Sequence, residues 1–190
     1  MLQSVQRPLW LLCAVFPFVF FAYAHDMRWN PDSSTLESAY PLVPSETSRY
    51  IIGELEGAQA DFFSLELPAG VPSLTYLLAS QACPGFYPQL WLIAPELPAH
   101  TPPPFEIPQE FDALQLEYGW SLFRDLFLAA RRGPGLEDFA GLDGYLAVYA
   151  PDAPGSYVLV WQGVDVASGT PQGWDALERF NRCSAENGSQ

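Results

Sequence analysis

Lysine is absent from this 190-residue sequence, and its eight arginines face 22 acidic residues, for a net charge of −14 at neutral pH. So acidic a chain repels phosphate backbones and anionic headgroups, which excludes nucleic acid and disfavours an anionic lipid surface as partners. It is compatible with solubility, cation binding or a basic protein partner. Histidine is scarce too, with only His25 and His100, far apart in the chain. No G-x-S-x-G elbow, H-E-x-x-H pair, C-x-x-C pair or glycine-rich phosphate loop is present. The many carboxylates offer too many pairs to nominate one for glycoside hydrolysis. The chain reads as non-enzymatic.

What is present begins with an apolar leader. Residues 9–24 carry no charge, follow Arg7 and end in Ala22-Tyr23-Ala24. A basic start, an apolar run and an A-x-A pattern predict a secretory signal peptide over residues 1–24, or a membrane anchor if it stays attached. The run has 16 residues, interrupted by Pro17, against the roughly 20 needed to cross a bilayer, which favours cleavage after Ala24. The expected location is extracytoplasmic: periplasm, cell surface or secreted. Losing Arg7 from eight basic residues against 22 acidic ones leaves the mature chain at −15. Of its cysteines, Cys83 and Cys183 remain, and an even pair in an oxidising compartment predicts a disulfide. The loop it would close is about 100 residues long, stabilising by up to roughly 4–5 kcal/mol in the chain-entropy view.

The mature part predicts a mainly β, antiparallel, jelly-roll-like β-sandwich. Residues 25–47 are polar and proline-punctuated, an irregular segment before a sandwich domain over 48–169. Residues 50–55 and 61–67 are β-like runs around a turn at Glu56-Gly57-Ala58, and together predict a hairpin. In the second run Phe63, Leu65 and Leu67 alternate with Phe62, Ser64 and Glu66, the period of a half-buried strand. Residues 74–79 and 90–94 are apolar on both faces, so they are expected to be buried on two sides or to lie under a cap. Six prolines between 95 and 108 predict a long irregular surface loop. Residues 119–132 fit either a helix or one or two strands. Residues 144–149 and 156–162, joined by a Pro- and Gly-rich bend, predict the clearest hairpin. A C-terminal helix and tail are expected over 170–190. Thr170 can cap the helix, Pro171 suits its first turn, and Trp174, Leu177 and Phe180 form its apolar stripe.

The stretch 48–163 resembles bacterial pre-peptidase C-terminal-like (PPC-like) sandwich domains. The resemblance is carried by Gly53-Glu54-Leu55 followed by Asp61-Phe62-Phe63-Ser64-Leu65, then by Tyr145-Leu146-Ala147-Val148-Tyr149 and Gly155-Ser156-Tyr157-Val158-Leu159-Val160. It covers roughly two-thirds of the mature chain. It implies a non-catalytic, exported accessory module of a kind that in some members binds calcium or carbohydrate. The proline loop and the helix around Trp174 depart from that pattern.

Candidate ligand chemistry lies in four places. Cleavage after Ala24 would make His25 the mature N-terminus, whose amine and ring nitrogen chelate Cu(II), with His100 as a third nitrogen in a histidine brace. Asp26 and Met27 stand next to it as auxiliaries. Glu137, Asp138 and Asp143 surround Gly141 and Gly144, and with Asp152 could offer oxygens to calcium, although their spacing matches no EF-hand. Trp91 and Trp161 lie in apolar runs and are expected in the core. Trp29, Trp120 and Trp174 have more polar neighbours and are candidates for a binding surface. No resident cofactor is demanded by the sequence beyond these copper and calcium options. The function expected is an accessory or binding module that meets another extracytoplasmic protein or a membrane complex. A copper-binding protein and a calcium-stabilised carbohydrate-binding module are the alternatives.

Overall fold

The structure is a computed structural model and describes residues 26–30, 32–43, 49–66, 74–80, 83–98, 100–116, 120–123, 127–130, 141–162 and 180. These form eleven strands: β1 (Asp26–Trp29), β2 (Tyr40–Leu42), β3 (Arg49–Leu55), β4 (Gln59–Glu66), β5 (Leu74–Ser80), β6 (Gln89–Ala94), β7 (Asp112–Leu116), β8 (Trp120–Phe123), β9 (Phe127–Ala130), β10 (Asp143–Ala150) and β11 (Gly155–Gln162). One sheet has the order β1-β3-β11-β5-β9-β8 and the other β2-β4-β10-β6-β7. The molecule is mainly β, as its alternating apolar runs require. Among the described residues no helix is long and apolar enough to cross a membrane, and the leader lies outside them.

Both expected hairpins are corrected. β3 lies in the six-stranded sheet and β4 in the five-stranded one, and β10 and β11 part company in the same way. Each pair is an arch that carries the chain across the core. Ile51 and Leu55 from β3 meet Phe63 and Leu65 from β4 in one buried cluster, which Leu146 and Val148 of β10 and Leu159 and Trp161 of β11 complete. An alternating strand needs an apolar neighbour on one face, and an arch satisfies that requirement as well as a hairpin does. The β3–β4 arch is tight. Gly57 and Ala58 both have positive φ, at 95° and 51°, and the Ala58 N–H donates to the Ala150 carbonyl at 2.7 Å. Glycine adopts that conformation without steric cost, and the hydrogen bond helps Ala58 to hold it.

The sheets are mixed, where a purely antiparallel arrangement was expected. β1 runs parallel to β3 and β2 parallel to β4, while every other described pairing is antiparallel. The chain enters by alternating between sheets. Two successive reversals bring it back into the first sheet pointing the way it started, so strands two apart pair in parallel. Residues 25–47 are thus not simply irregular: they supply both parallel edge strands. Residues 119–132 contribute β8 and β9, an antiparallel pair.

Apolar runs without alternation are explained by covers on both outer faces. On β6, Leu90, Leu92 and Ala94 enter the shared core, while Trp91 and Ile93 point outward into a second cluster. The proline segment caps that cluster with Phe105, Ile107 and Phe111. On the other sheet, Ile52, Val158 and Val160 are covered by Phe180, which is fully buried. Burying such side chains contributes about 1.5–3 kcal/mol each, so two-faced burial roughly doubles what one strand adds. Apart from Phe180, the helix and tail expected over 170–190 lie outside the described residues.

Candidate functional site

The proline segment lines a pocket at the surface of the described residues. Its backbone is pinned to the sheet where the Thr101 N–H donates to the Ala113 carbonyl at 2.7 Å. Phe105 then plugs an aromatic nest, its ring centroid 5.5 Å from Phe62, 5.7 Å from Trp91 and 5.7 Å from Tyr149. Edge-to-face contacts of this kind add about 0.5–1.5 kcal/mol beyond the area they bury. Prolines 102–104 and 108 restrict the backbone on either side, so the loop holds its shape with little entropy left to lose.

Facing this loop across the start of β4 is residues 32–37. Their shape is locally built: Asp32 Oδ1 accepts the Ser34 N–H at 3.2 Å, and Thr35 and Ser38 exchange backbone and hydroxyl hydrogen bonds at 3.0–3.3 Å. Between the two rims runs an open trough with a volume of about 820 Å³, the size of a small-ligand or peptide site. Ala60, Phe62, Leu36, Phe105 and Ile107 make its apolar floor and walls, and Asp32, Glu37 and Glu106 stand on its rims.

A buried polar cluster anchors one rim to the core. The Tyr157 hydroxyl donates to Asp61 Oδ2 at 2.5 Å, and the Asn30 amide donates to Ser33 Oγ at 2.8 Å and to the Tyr157 hydroxyl at 3.4 Å. The Phe62 N–H donates to the Ser33 carbonyl at 2.7 Å. All four side chains are buried. Burial raises the Asp61 carboxyl above the ordinary range, an effect partly offset by the Tyr157 hydrogen bond. Burial, with the neighbouring Asp61, pushes the Tyr157 hydroxyl well upward, so it stays protonated and donating. With Asp61 7% and Tyr157 0% exposed, the pair is out of reach of a substrate and acts as a structural tie.

Several of the residues singled out from sequence lie outside the described residues, and the described ones stand in separate places. His25 lies outside the described residues. His100 is half exposed and its Nδ1 sits 3.3 Å from Asp112 Oδ1, at the head of edge strand β7. Among the described residues no three histidine, cysteine or acidic groups are placed to hold a metal ion. Glu137 and Asp138 lie outside the described residues, and Asp143 opens β10 while Asp152 lies past its other end, separated by roughly 25 Å of extended chain, so those two cannot share one ion. Trp29 packs half-buried against the cluster under Phe180. Trp120 opens β8, and Trp174 lies outside the described residues. Trp91 and Trp161 are buried, each 3% exposed, as expected. Cys83 is buried, and Cys183, its expected disulfide partner, lies outside the described residues.

Sequence reading missed the trough, whose walls come from three distant segments. One signal was available: Asp61 shares the parity of Phe63 and Leu65, so it was bound to face the core and to need a partner there. Comparison with family models and with curated proteins finds no match to this chain.

Proposed function

We propose that this chain is an exported, non-catalytic binding module of β-sandwich architecture, acting outside the cytoplasm as an accessory subunit. The trough between residues 32–37 and 105–108 is its binding face. The observation that carries this reading is that the trough is built in advance. One rim is stiffened by prolines and an aromatic plug, the other by side-chain turns and a tie to the buried Asp61–Tyr157 pair. A site that loses little freedom on binding retains more of its contact energy as affinity. The absence of catalytic motifs from the sequence and the burial of the Asp61–Tyr157 pair support a role without chemistry.

A photo-crosslinking side chain placed at Gln59, exposed beside the trough, tests this in the exporting host. It is expected to give a discrete adduct that the same group at Glu66, at the far end of β4, does not. Equal labelling from both positions, or none from Gln59, rejects the trough as the binding face.

A further inference from the structure

We infer that the occupant of the trough is a cationic polypeptide segment of a partner protein, with arginine or lysine next to apolar side chains. This rests on the binding-module reading and adds the chemistry of the ligand. The lining mixes apolar side chains, Leu36, Phe105 and Ile107 among them, with polar ones such as Ser34, Thr35 and Gln59, so it can take up hydrocarbon beside polar groups. Carboxylates stand on both sides of it: Asp32 and Glu37 on one rim and Glu106 on the other, with no basic residue among the lining groups. Glu37 and Glu106 are exposed, so their charge is directed outward.

Other occupants fail on charge or geometry. A metal ion needs several oxygens converging on one point, and among the described residues no such group of three exists. A second copy brings the same excess of acidic over basic residues, 22 against 8 in the full sequence, to the same acidic rims. Nucleic acid and anionic lipid are repelled for the same reason. A polyamine could satisfy the rims but has no side chains for the floor. A polypeptide that alternates basic and apolar residues satisfies both.

The test measures binding of labelled short peptides to the tagless exported chain at low salt. One peptide alternates arginine with leucine; its counterparts carry glutamine or glutamate in place of arginine, and spermidine serves as the small cation. The arginine peptide is expected to bind best and the glutamate peptide not at all. Glu37→Gln with Glu106→Gln is expected to weaken the arginine peptide about fivefold, the sum of two exposed ion pairs at low salt. Glu66→Gln with Asp143→Asn removes the same charge at the other end of β4 and is expected to change binding by less than about twofold. Equal weakening by both pairs would show diffuse attraction and overturn the inference. Equal binding of the glutamine peptide, or competition by spermidine at equal concentration, would overturn the ligand class while leaving the trough as a binding face. Failure of every peptide would overturn the inference as well, and the crosslinking from Gln59 then decides the binding-module reading independently.

Discussion

Asp61 and Tyr157 form the most consequential pair of side chains in the core, and their energetics are tied to pH. A buried carboxyl whose pKa is raised in the folded state keeps a proton that the unfolded chain has already released. Stability contributed at this position therefore falls as pH rises from the unfolded value, about 3.9, through the folded one, and is level above it. Asp61→Asn is expected to gain stability relative to the native chain as pH rises across that window, in chemical denaturation followed between acid and neutral pH. A difference that is flat, or that moves the other way, would refute the assignment. Tyr157→Phe removes one donor from the buried Asp61 and leaves it Asn30 and Ser33, for an expected loss of about 1–3 kcal/mol at neutral pH. Tyr157 also lies across Gly53, its register partner on β3, where any added Cβ would overlap the ring. The glycine in that run was legible only as part of the Gly53-Glu54-Leu55 motif, and its role as a seat for an aromatic ring depended on a strand 104 positions away.

The elements show the same division. Strands β3, β4, β6, β10 and β11 were legible because apolar residues alternate or run together in them. β1 and β2 were not, since four and three residues carry too little pattern, and Pro41 speaks against a strand unless it is an edge. They exist because β3 and β4 offer them ladders. The proline segment was rightly read as irregular, yet it acts as a cap with Phe105 as its plug. Phe105→Ala is expected to lower stability by about 1–3 kcal/mol, since the ring is half-buried, and to expose Trp91 to solvent. A red-shifted tryptophan emission with a lower denaturation midpoint checks this. Unchanged emission and midpoint would mean that the loop does not cap the sheet.

For the whole molecule, the exported reading is open to direct measurement. Mass spectrometry of material recovered outside the cytoplasm is expected to find a mature chain starting at His25, with no free thiol under denaturing, non-reducing conditions, in agreement with a Cys83–Cys183 pair. Two labelled thiols per chain, or an intact leader, would count against it. The same tagless protein is expected to take up copper only weakly and without fixed stoichiometry, because the sequence offers only two histidines, far apart in the chain, and nothing else in it demands a metal. One tightly held Cu(II) per chain, lost in His25→Ala, would instead support the histidine brace.

The sequence by itself determined the β-rich character, the acidic surface, the apolar faces of the long strands and the lack of catalytic motifs. Those properties depend on composition and on a period of two, which each residue carries with it. Only the tertiary structure decided that β3–β4 and β10–β11 are arches and that the first two strands pair in parallel. It also decided that residues 32–37, 58–62 and 105–108 meet around one trough. Alternation specifies which face of a strand must be covered but not by which neighbour, and that choice is made by the packing of the whole chain.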